Sequence, residues 1–228
     1  MQRCSRKGRA MLPVAAMSVV ALGAAQARAS VVLIESWENT LDGWEAPSTN
    51  LGSNSTFTSS FSTTTGVTNG SYSLAMTGSV APNYGQMLAG PSTMALTNLL
   101  ADSSSVSLDV YVPAAAFGYY VAIDIDMQNA AFGANGGFVS LDGYIYQSAT
   151  IGGETTITVP VTAAQDATLA ASGDPTALFV QVGGNAPSSG SNTMYFDNLR
   201  ATTVPEPAST SMLGLAAIGL LGRRRRAT

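Results

Sequence analysis

Apolar and polar residues alternate strictly in several short runs between residues 30 and 203. In the run 106–112 every second residue is valine or leucine, and the run 119–127 repeats this pattern. A period of two sends neighbouring side chains to opposite faces of a β-strand, so that one face of each strand is buried. Turn-forming dipeptides such as Asn69-Gly70 separate the runs. The pattern predicts an all-β fold, an antiparallel β-sandwich with a polar outer face on each sheet.

Further runs of the same kind extend this prediction to one sandwich domain over residues 30–203. A chain of that length buries about 70% of its unfolded surface, so a single core is sufficient. The segment 163–171 is the one helix candidate, because alanine and glutamine favour a helix and Gly173 would end it. Serine and threonine supply twelve of the eighteen residues in 48–65, which predicts a surface loop with one weak strand at 57–61. The other predicted strands are 31–34, 71–77, 138–146, 155–161, 177–182 and 193–201.

The net charge of this domain differs from that of the whole chain. Between residues 30 and 203 there are 13 acidic residues and a single basic one, Arg200, which gives a net charge of −12, whereas the whole chain carries −4. Nucleic-acid binding depends on basic side chains that neutralise phosphates, so we expect no binding to nucleic acid. Cations and uncharged molecules are the expected ligands.

Missing residue types exclude several kinds of active site. The chain has no histidine, its one cysteine is Cys4 and its one lysine is Lys7. Zinc sites of the Cys/His type, Ser-His-Asp triads and Cys-His dyads therefore cannot form in the domain. Schiff-base chemistry on lysine is excluded in the same way. An enzyme built on this domain would depend on carboxylates, tyrosines or an oxygen-bound metal.

Residues 1–29 have the three parts of a secretory signal peptide. Four basic residues lie among the first nine, an apolar stretch covers 11–25, and alanines at 25, 27 and 29 give two overlapping A-x-A cleavage sites. Cleavage after Ala29 by signal peptidase would leave Ser30 as the new N-terminus. An uncleaved N-terminal anchor is the alternative. In both cases we expect a signal helix and export.

A second targeting segment occupies residues 204–228. It begins with Val204, Pro205, Glu206 and Pro207, which end the domain because a proline has no amide hydrogen and restricts the residue before it. The apolar stretch 208–222 would form a helix of about 22 Å against a hydrocarbon core of about 30 Å, so we expect a short, marginal transmembrane helix. The arginines that follow are expected to remain at the cytoplasmic face. They are Arg223, Arg224, Arg225 and Arg226.

This order of proline-flanked acid, short apolar helix and terminal arginine cluster resembles the PEP-CTERM sorting signal of bacterial exported proteins. The resemblance implies processing near the motif by a membrane protease of the exosortase type. It also implies a transient inner-membrane anchor before processing, followed by delivery to the cell envelope or the extracellular matrix.

Two motifs at the ends of the domain resemble the first and last strands of jelly-roll carbohydrate-binding modules. The first motif is 35–38 (E-S-W-E) followed by 42–44 (D-G-W), and the second is 195–200 (Y-F-D-N-L-R). The resemblance implies a jelly-roll-like sandwich in which these strands are neighbours and hold a structural calcium ion. Glu38 and Asp197 are then the candidate ligands, because Ca²⁺ prefers oxygen. The alternative is that Trp37 and Trp44 belong to the core and that Asp197 caps or solvates a strand.

A candidate ligand-binding face lies on the predicted strand 119–127. The period of two groups its tyrosine and aspartates on one face, and the segment lacks the glycine and glutamate of an EF-hand loop. Carboxylates accept hydroxyl protons and aromatic rings stack on sugar C–H groups, so this face suits a carbohydrate. The prediction assumes that the preceding strand shares the face; a merely polar outer face is the alternative. The predicted binding residues are Asp109, Tyr111, Tyr120, Asp124, Asp126 and Gln181, with Tyr144 and Tyr146 on neighbouring strands.

Together these features favour a non-enzymatic exported protein of the envelope or extracellular matrix with structural or adhesive duties. Binding of exopolysaccharide is a specific version of this function. The expected partners are signal peptidase, an exosortase-type protease, the membrane before processing and a polysaccharide. Calcium is the one expected cofactor. The alternative function is a jelly-roll glycoside hydrolase or lyase with two carboxylates about 5 to 10 Å apart. No pair of glutamates stands out on facing predicted strands, which disfavours an enzyme.

Overall fold

The computed structural model describes residues 29–45, 57–78, 85–116, 120–143, 146–184 and 192–204. The predicted signal helix, the sorting motif from Pro205 onward and the apolar tail lie outside these residues. Among the described residues, none of the helices has the length and hydropathy needed to cross a membrane. The strands are β1 (Ser30–Glu35), β2 (Phe57–Ser62), β3 (Ser73–Gly78), β4 (Gly85–Ala89), β5 (Ser103–Val112), β6 (Val121–Gln128), β7 (Phe138–Ser140), β8 (Gln147–Ser148), β9 (Gly153–Pro160), β10 (Ala177–Gly184) and β11 (Asn192–Thr203). The α-helices are α1 (Met94–Ala101) and α2 (Ala163–Ala170), and two short 3-10 helices cover Ala130–Phe132 and Ala134–Gly137.

The strands form two antiparallel sheets. Sheet A has the order β2-β3-β11-β5-β9, and β1 pairs with the second half of β11. Sheet B has the order β4-β10-β6-β7, and β8 pairs with β6. The alternate apolar residues of both sheets meet in one buried core, which includes Leu108 and Phe196 from sheet A and Ile125 and Val180 from sheet B. This arrangement confirms the predicted antiparallel β-sandwich.

Most predicted strands are present, but strands β4 and β8 and helix α1 were not predicted. The predicted strand 138–146 begins with β7 at 138–140, and β8 starts just beyond the predicted range, at Gln147. Helix α2 matches its prediction, and a reciprocal capping box between Thr162 and Gln165 starts it. It is not the only helix, because α1 begins after Thr93, whose hydroxyl accepts the amide of Leu96 at 3.1 Å. Helix α1 buries Leu96 and Leu100, so packing against the core stabilises this short element.

A β-bulge in strand β11 sets the direction of its polar side chains. The pairing with β5 shifts by one residue between Asp197 and Arg200, and Asn198 has a left-handed φ of 52°. The shift reverses the alternation, so that Phe196 and Leu199 both face the core. Asp197, Asn198 and Arg200 consequently all lie on the outer face of sheet A.

The first and last strands are neighbours, as the resemblance implied. Strand β1 runs antiparallel to β11, and Ser30 pairs with Thr203. Their hydroxyls are 2.7 Å apart. The two tryptophans of the first motif are core residues, because Trp37 and Trp44 are buried and their rings meet edge to face with centroids 5.5 Å apart.

Candidate ligand-binding face of sheet B

The predicted binding residues lie on two different sheets. Asp124 and Asp126 lie on β6 and Gln181 lies on β10, and the pairing of these strands places Gln181 opposite Asp124. Tyr120 directly precedes β6. Asp109 and Tyr111 instead lie on β5 in sheet A, with the core between them and the other residues. The assumption that β5 and β6 share a face was therefore wrong, because the chain crosses from one sheet to the other between these strands.

Strand β6 directs its apolar residues into the core and its acidic residues outward. Val121, Ile123, Ile125 and Met127 belong to the core, so the residues between them occupy the outer face of sheet B. The adjacent strand β10 does the same: Val180 and Val182 are core residues, and Phe179 and Gln181 are on the outer face. We call the cluster of Asp124, Asp126, Ser140, Tyr146 and Gln181 on this face the sheet B face.

Asp126 is the most perturbed group of the sheet B face. The residue is 0% exposed, and neither carboxyl oxygen has a hydrogen-bond partner. Burial, followed by the negative charge of Asp124, raises the pKa of Asp126 to about 8, while Gln181 acts in the opposite direction. At neutral pH Asp126 therefore carries a proton.

Asp124 is linked to the protein surface through a serine. The hydroxyl of Ser140 lies 3.1 Å from Oδ2 of Asp124 and 3.0 Å from Oδ1 of Asp142, which is half-buried. That hydroxyl has one hydrogen and can donate it to one carboxylate only, so a second proton is needed to satisfy both contacts. Burial, followed by the charge of Asp142, raises the pKa of Asp124 to about 6.

Aromatic side chains frame the acidic residues. The hydroxyl of Tyr146, which precedes β8, donates to Oε1 of Gln181 on β10 at 2.7 Å. Because β6 lies between β8 and β10, this tyrosine extends across the strand that carries the aspartates. Beside them, the rings of Phe138 and Phe179 meet edge to face with centroids 5.4 Å apart. The sequence predictions omitted Ser140 and both phenylalanines, although the alternation of Phe179 with Gln181 was a usable signal.

The chemistry of the sheet B face suits an uncharged ligand rich in hydroxyl groups. Asp124 and Asp126 are fully buried, so a ligand would contact the half-buried groups beside them, the side-chain amide of Gln181 and the hydroxyl of Tyr146, which supply the donors and acceptors that sugar hydroxyls need. Tyr146 adds an aromatic ring beside these polar groups. Arg200 is the only basic residue between 30 and 203, and it lies on sheet A, so nothing in the domain compensates for an anionic ligand here.

A second polar cluster lies on the outer face of sheet A. Asp109 accepts hydrogen bonds from Arg200 at 3.0 Å, Asn198 at 2.8 Å and Thr156 at 2.7 Å. Burial alone would raise the pKa of Asp109, but these hydrogen bonds and the positive charge of Arg200 hold it below its usual value. Tyr111 packs edge to face on a tyrosine of β11, with ring centroids 6.0 Å apart. Asp109 and its partners are thus already satisfied within the protein.

The two predicted calcium ligands both contact the loop 68–71. Asp197 accepts the amides of Thr68 and Asn69 at 2.6 and 2.7 Å, and Glu38 accepts the amide of Ser71 at 2.9 Å. The amide of Asn198 binds the other oxygen of Asp197 at 2.6 Å. N–H groups aimed at these carboxylates fit an anchor for the loop, and calcium binding, which needs oxygen ligands, stays a prediction. Among the described residues there is no group of three or more acidic residues placed to hold one metal ion.

The C-terminal residues match a known sorting motif. Residues 203–226 match the PEP-CTERM protein-sorting motif, which confirms the resemblance found in the sequence. The motif indicates export and sorting to the cell surface. No curated protein matches the chain.

Comparison with solved structures shows the fold of carbohydrate-binding modules. A structure of such modules from the β-sandwich superfamily has a TM-score of 0.52 at 16% identity; the match covers 73% of this chain and 60%, less than two thirds, of that chain. A module that recognises mannan has a TM-score of 0.48 at 14% identity, and the match covers 77% of this chain and 99% of that module. A family 11 module of a cellulosomal cellulase of Clostridium thermocellum has a TM-score of 0.46 at 11% identity, and the match covers 79% of this chain and 98% of that module.

Proposed function

We propose that the chain is the precursor of a non-enzymatic envelope or matrix protein that binds an uncharged polysaccharide through its sheet B face. The signal peptide directs export, the tail holds the precursor in the inner membrane, and an exosortase-type protease releases the domain near the Pro-Glu-Pro motif. The sorting motif at 203–226 supports the first half of this proposal. The sandwich fold, shared with carbohydrate-binding modules, supports the second half.

The single observation that carries the binding function is the pairing of buried carboxyls with an aromatic bridge on one sheet face. Tyr146 spans β6 and bonds to Gln181 beside Asp124. A polar outer face that only needed to be soluble would keep its carboxylates in water, because burying a charge without a partner costs several kcal/mol or shifts the pKa. Asp124 and Asp126 are both fully buried, so the face is organised for more than solubility.

Charge selects the class of polysaccharide. The domain carries a net charge of −12, and three carboxyl groups (Asp124, Asp126 and Asp142) interact on the sheet B face. A polymer of uronic acids would bring more negative charge to a face with no basic side chain. We therefore expect neutral glycans such as glucans, mannans or xylans to bind, and polyanionic ones to be excluded.

A polysaccharide pull-down with matched variants tests this function. The wild-type chain is incubated with insoluble neutral polysaccharides and with cross-linked polyuronate, and the bound fraction is measured. Tyr146→Ala should abolish retention on the neutral polymer, whereas Tyr111→Ala, which removes a tyrosine from the outer face of sheet A, should leave it unchanged. If the wild type is retained on none of the polymers, or the two variants lose retention equally, the sheet B face is not the binding site.

The enzymatic alternative is tested on the same polymers. A hydrolase or lyase would release reducing ends or unsaturated products, and its activity would depend on paired carboxylates. We expect no product from any polysaccharide that the wild type retains. Product that disappears in Asp124→Asn would show that the face is catalytic.

A further inference from the structure

Four of the five exposed large apolar residues in the described part of the chain lie at one corner of sheet A. They are Val31, Val32, Leu33 and Val204, with exposed fractions of 64%, 37%, 47% and 53%, and the fifth is Met94 on α1. Single exposed apolar side chains are ordinary, but these four lie on two paired strand ends at the sheet edge, with Val31 and Leu33 on one face of β1 and Val32 on the other. Such a group indicates a contact surface. We call these four residues the apolar corner.

Both chain termini leave the domain at the apolar corner. Ser30, the first residue after the predicted signal cleavage, pairs with Thr203, the last residue of β11. The last backbone hydrogen bond of this strand end runs from the amide of Val204 to the carbonyl of Asp102 at 2.7 Å. The folded domain is therefore held together up to the first residue of the sorting motif.

The tether between this corner and the apolar tail segment is very short. Only Pro205, Glu206 and Pro207 separate Val204 from the apolar stretch that starts at residue 208. Four residue steps of extended chain span at most about 14 Å. The polar headgroup layer of a bilayer is about 5 to 8 Å thick on each side, so a tail inserted in the membrane keeps Val204 within about 6 to 9 Å of the outer edge of that layer.

The length of the tail segment brings the domain still closer. A helix of 15 residues, the length of this apolar stretch, would measure about 22 Å, about 8 Å less than the hydrocarbon core. A span that is too short draws its flanking residues inward or thins the bilayer. On the exported side the first flanking residues are Pro207, Glu206 and Pro205, and the carboxylate of Glu206 can remain at the level of the headgroups. The apolar corner comes next, and its four side chains carry no charge.

We propose that the apolar corner docks on the phospholipid surface of the membrane while the precursor awaits processing. This proposal rests on the proposed membrane anchoring of the tail. Attraction between charges cannot supply the binding, because the domain is strongly acidic and anionic lipids repel it; insertion of apolar side chains into the interface can. Docking fixes the cleavage region against the bilayer, where a membrane-embedded protease acts, and places the new N-terminus beside it.

Fluorescence quenching by nitroxide-labelled lipid tests the docking. The exported precursor, made in a host without the processing protease, is reconstituted in vesicles of phosphatidylethanolamine and phosphatidylglycerol. In a Cys4→Ser background, a fluorophore on Ser104→Cys reports on the corner, because the hydroxyl of Ser104 contacts the carbonyl of Thr202. A fluorophore on Ser59→Cys reports on the far end, because Ser59 aligns through β3 with Met194, nine residues or about 30 Å from Thr203.

The docked state predicts strong quenching at position 104 and little at position 59. Replacing Val31 and Leu33 with serine should reduce quenching at position 104 at least about twofold, because apolar area drives the insertion. Met94→Ser, which removes the exposed apolar residue outside the corner, should leave quenching unchanged. Both serine changes are at exposed sites, and an unchanged melting temperature confirms folding.

Two outcomes separate this inference from the anchoring on which it rests. If the wild-type precursor floats with the vesicles but the double serine variant is quenched as strongly as the wild type, the corner is only tethered and docking is refuted. If the precursor does not float with vesicles at all, the tail is not an anchor, and both proposals are refuted.

Discussion

Asparagine at position 126 should remove a buried titrating group and keep the size of the side chain. Asp126 is fully buried, its carboxyl oxygens have no hydrogen-bond partner, and its pKa is raised from 3.8 to about 8. Below about pH 4 both the folded and the unfolded chain hold this proton, so the titration of Asp126 does not change the free energy of unfolding there. Between about pH 4 and about pH 8 the unfolded chain releases the proton while the folded chain keeps it. Stability therefore falls as the pH rises through this window.

The size of the effect follows from the pKa difference. Each pKa unit corresponds to about 1.36 kcal/mol, so Asp126 lowers the free energy of unfolding by up to about 4 kcal/mol at pH 7 and up to about 6 kcal/mol at pH 9. Asp126→Asn has no proton to lose. The variant should match the wild type at about pH 4 and become more stable than the wild type, by a few kcal/mol, above about pH 7.

Urea denaturation at several pH values between about 4 and 9 measures this difference. Asp174→Asn is the matched control, because Asp174 is an exposed aspartate in a turn, and its variant should follow the wild type at every pH. Parallel curves of unfolding free energy against pH for the wild type and Asp126→Asn would refute the assignment of a protonated, buried Asp126.

Three further changes have defined outcomes. Gly66→Ala should destabilise the domain by at least about 2 kcal/mol, because Gly66 has a φ of +69° and an added β-carbon would lie 2.5 Å from the β-carbon of Tyr195. Gly173→Ala is the control: the space around Gly173 is open, so its melting temperature in thermal denaturation should be nearly that of the wild type. Thr162→Ala should cost about 1 kcal/mol, measured in the same way, because it removes the capping box of α2. A thermal-shift titration with calcium decides the calcium prediction. Because backbone amides already donate to the carboxylate of Asp197, we expect calcium to leave the melting temperature unchanged. A rise in melting temperature with calcium that is lost in Glu38→Gln would establish calcium binding instead.

The face of each strand could be predicted from the sequence, because alternation is a local property. The period of two in 119–127 places Asp124 and Asp126 on the outer face of β6, where the structure has them. The sheet to which a strand belongs depends on contacts between distant residues. Asp109 was therefore grouped with Asp124 although the core separates them.

Single-residue departures from regularity were beyond prediction for a similar reason. Asn198 in the left-handed region shifts the register of β11, and only the pairing with β5 shows that Asp197 and Arg200 then share a face. Helix α1 has little intrinsic signal, and its stability comes from the burial of Leu96 and Leu100. The burial of Asp126 could not be predicted from the sequence either, because a residue on the outer face of a strand is normally exposed to solvent.

Calorimetric titration with a soluble neutral oligosaccharide, chosen from the polymer that retains the wild type, tests the central claim most directly. The sheet B face predicts measurable binding to the wild type, at least about a tenfold weaker dissociation constant for Tyr146→Ala, and an unchanged constant for Tyr111→Ala, because losing one stacked aromatic ring costs about 1.5 kcal/mol or more. Equal affinities of Tyr146→Ala and the wild type, with weaker binding in Tyr111→Ala, would contradict the account and move the binding site to sheet A.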